Sequence, residues 1–556
     1  MNQHNAPDNG FVNVASYLIR SARVQPQKPA VVCPAGRDPN GRVRYIHLTF
    51  QQLDQKSDIL AHGLERVGIN RGSRTILMVK PGLDFFGIIF ALFKIGAVPV
   101  VVDPGMGLRR MLSCLAESEP EAFIGISAAH ALRTLQPKYF KTVKTWVTVG
   151  RRWFWGGHTL EQLGAASQGP YSPARTGRDE TAAILFTTGS TGPAKGAVYT
   201  HGNFDAQLNQ IKTHLGLSAD EIDLSTFPLF ALFWPAQGIT SVIPDMDPTR
   251  PALANPEKII ESINDWKVTQ MFASPALLNR VGRYGRKNNI KLPSLKRVIS
   301  AGAPVSADVI ERFAALLPEE SEIHTPYGAT EAVPIISIRS REILTQTRKL
   351  SEQGFGTCIG YPINDTIVSL IRISDDPIAN WSDELVVPDN EIGEITVKGG
   401  LVTRRYFNRP DADVLSKIKD GDGFRHRMGD LGRRDKQGRI WFYGRKNHRV
   451  ITPGETLFTI PCEAIFNLHP QVFRSALVGV GSAPNQRPVI CIELEDTARR
   501  KDRRRIRKEL LALAKSNEKT LKIDAVLFCK AFPVDIRHNS KIFREKLAIW
   551  AAKQIG

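Results

Sequence analysis

Leu185-Phe186-Thr187-Thr188-Gly189-Ser190-Thr191-Gly192-Pro193-Ala194-Lys195-Gly196 is the stretch from which the rest of the chain is read. Its three glycines allow positive φ angles and let a phosphate come close to the main-chain amides. The hydroxyls of Thr187, Thr188, Ser190 and Thr191 can donate to phosphate oxygens, and Lys195 supplies a positive charge beside them. The apolar run Ala182 to Phe186 reads as a buried strand feeding the loop. The pattern is not GxxxxGK[ST], because Ala194 precedes the lysine and Gly196 follows it. The plain alternative is a Gly/Ser/Thr surface turn. The leading strand, the hydroxyls and the lysine together favour a phosphate loop.

Upstream, helix and strand patterns alternate. Leu48 to Val67, with Leu53, Ile59, Leu60 and Leu64 apolar, has the period of an amphipathic helix. Thr75 to Val79 reads as a strand, Phe85 to Lys94 as a helix and Val98 to Val102 as a strand. This βαβ alternation predicts an α/β fold, with a large N-terminal domain of parallel sheets carrying helices on both faces. The most apolar region, Phe85 to Val102, is interrupted by Lys94, Gly96 and Pro99, so no integral membrane segment is expected. For Trp153-Phe154-Trp155, in a less regular segment, core, tunnel wall and surface patch are all open.

A chain of 556 residues has room for more than one domain, and 42% hydrophobic with 23% charged residues suits a globular protein. Six cysteines without a CxxC pair or metal-like spacing, and no signal-peptide pattern, predict reduced thiols in a cytoplasm. The net charge of +19 peaks between Arg499 and Lys508. That run is either a solvated helix face or a dock for an acidic partner or membrane.

Downstream, Thr200-His201-Gly202-Asn203 opens a helix. Ser300-Ala301-Gly302-Ala303-Pro304 follows a strand at Leu295 to Ile299, where a glycine lets a flat ring approach the backbone. In Thr325-Pro326-Tyr327-Gly328-Ala329-Thr330-Glu331, an aromatic face, a hydroxyl and a hard carboxylate follow closely, although each in isolation reads equally as a packed tyrosine, a helix cap and a solvated glutamate. From about Asn447 the composition turns more basic and the elements shorten. This predicts a small α+β C-terminal domain over 447–556, after an N-terminal domain over 1–446.

Over nearly its whole length the chain resembles the adenylate-forming superfamily, which includes acyl-CoA synthetases, firefly luciferase and peptide-synthetase adenylation domains. The resemblance implies that Thr187, Thr188, Gly189, Ser190, Thr191, Gly192, Lys195, Gly302, Ala303, Tyr327, Gly328 and Thr330 bind ATP. Asp430 is similar to the ribose-binding aspartate, and Arg445 of Gly444-Arg445-Lys446-Asn447 would reach ribose or phosphate. Asn447 stands at the hinge position, usually Asp or Lys, on which the C-terminal domain would swing. In Arg537-His538-Asn539-Ser540-Lys541-Ile542 the lysine matches the family's last motif, with Ser540 replacing a glycine. The implied catalytic set is Lys541, Thr330, Glu331 and Lys195, working on ATP with Mg²⁺ at Glu331.

Ala231, the Phe-Trp-Pro segment, Met246 to Pro251 and the altered end motif are most similar to the bacterial olefin-biosynthesis β-lactone synthetases. That resemblance implies a long-chain 2-alkyl-3-hydroxy acid substrate, whose 3-hydroxyl closes on the adenylated carboxyl. It also implies assembly with other enzymes of the olefin pathway, for which the basic C-terminal surface is the candidate. Phe230, Ala231 and Trp234 would line the acyl pocket. Acyl-CoA synthetases usually carry histidine or an aromatic residue at Ala231, so either Phe230 or Trp234 fills the space or the pocket suits a substituted carbon. His201, His448 and His538 are candidate bases for ring closure. The competing readings are a long-chain fatty-acid CoA ligase or a fatty acyl-AMP ligase, although Pro453-Gly454-Glu455 is followed by a run unlike that of CoA ligases. More remote is a non-enzymatic basic protein on nucleic acid or membrane. No nucleic acid is expected as a partner of the enzyme.

Overall fold

The computed structural model describes residues 10–165, 169–187, 194–495, 500–534 and 542–555. Thr188, Gly189, Ser190, Thr191, Gly192, His538, Lys541 and Arg499 lie outside them, and Thr187 is described by its backbone alone.

Two sheets build the N-terminal part. The seven-stranded one runs His158–Thr159, Thr145–Val149, Ala122–Ile126, Arg74–Met78, Val98–Val102, Thr181–Thr187, Lys195–Thr200. Its strands are parallel except for the last pair, a hairpin. The fourteen-stranded sheet has a parallel centre, from Glu322–Ala329 through Arg297–Ile299, Gln270–Phe272, Ile222–Ser225 and Thr240–Val242 to Pro29–Arg37. Antiparallel strands extend it at both ends, so the parallel sheets expected from the βαβ pattern are cores within mixed sheets.

The helix Leu83–Ile95 lies between the sheets. Its Phe86, Ile88, Phe90 and Leu92 pack with Ala30 and Val31 of one sheet and Leu77, Ile124 and Val147 of the other. An apolar surface on nearly every side is what such a position demands. Gly96 ends the helix at φ 72°, a left-handed cap. Lys94 sits inside it and is fully buried, its Nζ donating to Asp54 Oδ1 at 2.6 Å and Asp58 Oδ1 at 2.5 Å. Paired carboxylates make a buried ammonium tolerable. Both aspartates come from the helix Phe50–Arg66, which starts later than the apolar period suggests because Thr49 and Gln52 form a capping box. The strand expected at Leu295 is shortened to Arg297–Ile299, since Leu295 closes a turn on Leu292.

The aromatic triplet divides. Trp155 is buried, stacked on His130 at 5.5 Å and donating Nε1–H to Thr148 at 3.0 Å, while Trp153 and Phe154 are exposed. The small C-terminal domain has a three-stranded sheet, Val472–Val480, Arg487–Leu494 and Ala525–Cys529, packed with helices Thr459–Asn467, Arg503–Lys515 and Arg544–Ile555. All six cysteines are free and buried. Among the described residues, no helix is long and apolar enough to cross a membrane.

Candidate active site

The opening stretch forms the connection of a hairpin. Thr181–Thr187 pairs antiparallel with Lys195–Thr200, Thr187 opposite Lys195, so the loop returns into a second strand rather than into a helix. Gly196 lies in that strand, and its φ is not positive, contrary to the conformational role first given to it. An added Cβ would meet the Phe186 ring at 2.6 Å, so close packing is what requires the glycine. The chain then enters the helix His201–Leu215, capped reciprocally by Thr200 and Asn203.

Thr330 and Glu331 form the turn between the antiparallel strands Glu322–Ala329 and Ala332–Arg339, with Ala329 opposite Ala332. The Tyr199 hydroxyl donates to the Thr330 carbonyl. A strap over residues 401–407 crosses the turn. Thr403 N donates to Glu331 O at 2.8 Å, and the Tyr406 hydroxyl donates to Glu331 Oε1 at 2.5 Å. The same strap pairs with the hairpin strand, Val198 N to Arg405 O at 3.1 Å and Phe407 N to Gly196 O at 2.8 Å. Lys195 Nζ consequently lies 5.0 Å above the Tyr406 ring. Lys195 and Glu331, on different sheets, are brought to one tyrosine.

A second cluster joins Tyr327, Asp430 and Arg445. Asp430 and Arg445 face each other across adjacent strands. The Tyr327 hydroxyl donates to Asp430 Oδ2 at 2.6 Å, and Arg445 Nε lies 3.0 Å from Asp430 Oδ1. Burial, reinforced by the Asp430 carboxylate, pushes the Tyr327 phenol well above its usual range. Gly302 takes φ 96° just past the strand Arg297–Ile299 with Ala303 beside it, and that strand pairs in parallel with the one carrying Tyr327 and Gly328. Gly302 therefore stands at the carboxyl end of a parallel strand, where open α/β sheets bind ligands.

The residues expected to line an acyl pocket, Phe230, Ala231 and Trp234, lie among packed side chains. Pro228–Ala231 and Phe233–Ala236 are single helical turns. Ala231 is fully buried in the core between the sheets, and Phe230 lies against Phe272 at 4.7 Å and Phe227 at 5.3 Å. Trp234 is buried beside Asp223, whose own carboxyl accepts from Ser225 Oγ at 2.6 Å and is pushed up to about 8 by burial.

Asn447 occupies a short turn, Lys446–His448, flanked by Lys446 on Glu394 at 3.1 Å and Arg449 on Asp375 at 2.5 Å. His448 is buried on Glu545 at 3.1 Å. His201 is a core residue. Its Nδ1 accepts from Val14 N, its ring lies 6.4 Å from Phe93, and burial pulls its pKa down to about 4. These contacts hold the N-terminal segment and argue against a role in ring closure. Among the described residues there is no group of three His, Cys, Asp or Glu side chains that could hold a metal. Mg²⁺ needs only one or two carboxylates alongside phosphate oxygens, and Glu331 fits that requirement.

Tyr199 and Tyr406, which the sequence did not single out, are side chains that touch the Thr330–Glu331 turn. They carry no motif-like spacing, because strap and strand meet only in the folded chain. In the basic run, Arg505 pairs with Glu509 at 2.8 Å. Lys501, Arg503, Arg504 and Arg507 border an open groove of about 560 Å³ walled by Phe528 and Trp550.

Lys195 and Glu331 thus meet at Tyr406, while Tyr327, Asp430 and Arg445 form a separate polar cluster on the fourteen-stranded sheet. Residues 18–407 match the AMP-binding enzyme family, and the chain belongs to it as an adenylate-forming enzyme. Two olefin β-lactone synthetases are similar to it throughout. That of Xanthomonas campestris is 46% identical over 98% of this chain and 99% of its own, and that of Stenotrophomonas maltophilia is 47% identical over 98% of each. The O-succinylbenzoate coenzyme A synthetase of Bacillus subtilis, solved with ATP and a magnesium ion, shares the fold at TM-score 0.74 and 20% identity, over 96% of this chain and 98% of that one.

Proposed function

We propose that the chain activates a long-chain 2-alkyl-3-hydroxy acid with ATP and closes it to a β-lactone. The observation that carries this reading is the near full-length identity of 46–47% to enzymes named olefin β-lactone synthetases. In the first step the carboxylate attacks the α-phosphorus of ATP, the bond to the β-phosphate breaks, and pyrophosphate leaves. Lys195 and the loop amides hold the phosphates, Asp430 and Arg445 take the ribose, and Lys541 stabilises charge on the reacting groups. Mg²⁺, when bound at Glu331, offsets the charge of the triphosphate. In the second step the 3-hydroxyl oxygen bonds to the carboxyl carbon, the bond to AMP breaks, and the hydroxyl proton passes to a base or water. An intramolecular nucleophile has a high effective concentration, which helps offset ring strain.

The domain over 1–446 binds ATP and acid, and 447–556 swings on Asn447 to bring in Lys541. The free, buried thiols support a cytoplasmic setting. The basic groove supports assembly with an acidic partner enzyme of the pathway. Mass spectrometry of products from ATP and a 2-alkyl-3-hydroxy acid tests the function. Lactone, AMP and pyrophosphate are expected without CoA. Acyl-CoA formed only when CoA is added, with no lactone, would favour the CoA-ligase reading instead.

A further inference from the structure

Lys417 starts the strand Lys417–Asp420 beneath the strap and was assigned no role by any motif. Its Nζ donates to the Thr403 carbonyl and lies 5.7 Å from the Tyr406 ring and 5.2 Å from that of Phe424. Lys195 approaches the same Tyr406 ring at 5.0 Å. Two positive charges converging on one ring repel each other, and at Lys417 the Lys195 charge works against the support of the Glu331 and Asp413 carboxylates. Such a pair suits a fold that awaits an anion. Tyr406 meanwhile holds Glu331 by its hydroxyl and Asp413 by its backbone N–H, at 2.5 and 2.8 Å. Burial lowers the Lys417 pKa to about 8, while the Glu331 and Asp413 carboxylates support its charged form.

We propose that Lys417 is a positioning residue of the triphosphate site: through the Thr403 carbonyl and the Tyr406 ring it fixes the tyrosine that orients Glu331, and it keeps the floor of the site positive beside Lys195. The proposal rests on the reading of Lys195 and Glu331 given above. It goes beyond that reading by assigning the strap and a second lysine to nucleotide and metal use.

The test uses the full chain, ATP, varied Mg²⁺ and a 2-alkyl-3-hydroxy acid, reading pyrophosphate release, with calorimetric titration of ATP in the absence of Mg²⁺. Lys417→Met is expected to raise KM for ATP and the half-saturating Mg²⁺ concentration roughly tenfold each, with kcat falling less. This is the size of losing one site contact worth about 1.4 kcal/mol. It should also weaken metal-free ATP binding, and Lys417→Arg should restore most of both. Tyr406→Phe, which deletes one oxygen, should raise the Mg²⁺ requirement while sparing metal-free ATP binding. A merely structural lysine would lower the unfolding midpoint of Lys417→Met and leave KM and the Mg²⁺ requirement of the folded enzyme at wild-type values. That outcome overturns the proposal. If Lys417→Met does not fold, an unchanged Mg²⁺ requirement in Tyr406→Phe overturns it equally. Glu331→Ala separates the two levels. If it leaves the Mg²⁺ requirement unchanged, the reading of Glu331 fails. If it shifts the requirement while Lys417→Met and Tyr406→Phe do not, only the positioning role fails.

Discussion

At the scale of the residue, Lys195 is the side chain whose removal isolates one contact. It is half-buried, lies over Tyr406 rather than in the core, and opens the strand Lys195–Thr200 opposite Thr187. Lys195→Ala should fold normally and weaken ATP use, because a charge-assisted contact to phosphate contributes roughly 1.5–3 kcal/mol. Pyrophosphate release measured against ATP concentration should show KM raised more than tenfold, and a wild-type curve would remove Lys195 from the site. Lys195, Glu331, Tyr327 and Asp430 could be proposed from the sequence because each sits in a local motif whose chemistry is written in neighbouring residues, and the structure gathers them into the two clusters described. Tyr406 and Lys417 could not be proposed in this way. Their roles arise from the strap meeting a strand about two hundred positions earlier, and no periodicity reports such a meeting. His201 is the opposite case, a helix-opening histidine named from its place after the loop, which the structure buries against Phe93.

At the scale of the element, the short strand Ile222–Ser225 carries a fully buried carboxyl. Asp223 is held by Ser225, which also shares a 2.6 Å contact with Ser241. Burial raises its pKa to about 8, above the unfolded value of about 3.9. Between those values the folded state holds a proton that the unfolded state has lost, so stability falls as pH rises through that window. Asp223→Asn keeps an acceptor for Ser225 and removes the titration. Urea midpoints at about pH 5 and about pH 8 should therefore fall more in wild type than in Asp223→Asn. Equal slopes would place the proton on another group. The same scale shows why helices and parallel strands were readable. Phe50–Arg66 and Leu83–Ile95 declare themselves by period and cap, whereas the antiparallel extension of the large sheet comes from pairings that hydrophobic pattern does not encode.

At the scale of the whole molecule, the charge of +19 is unevenly spent. In the helix Arg503–Lys515, arginines fill a first turn that the helix dipole would rather see acidic. If their groove docks an acidic partner, Arg503→Gln/Arg504→Gln/Arg507→Gln should leave turnover unchanged and lower partner co-sedimentation. The loss should be largest at low salt, where screening is weakest. Identical sedimentation of variant and wild type at every ionic strength would make the arginines a solvated face. The strap over residues 401–407 has a different consequence. Apart from the Tyr406 side chain, its junction with both sheets is made by amides and carbonyls, so it is sensitive to length. In extended chain successive side chains alternate sides, so a single inserted residue ahead of Tyr406 would turn the tyrosine away from Glu331 while the backbone junction could re-form one step along. Length, more than the identity of its other side chains, is therefore what lets this segment present Tyr406 to Glu331.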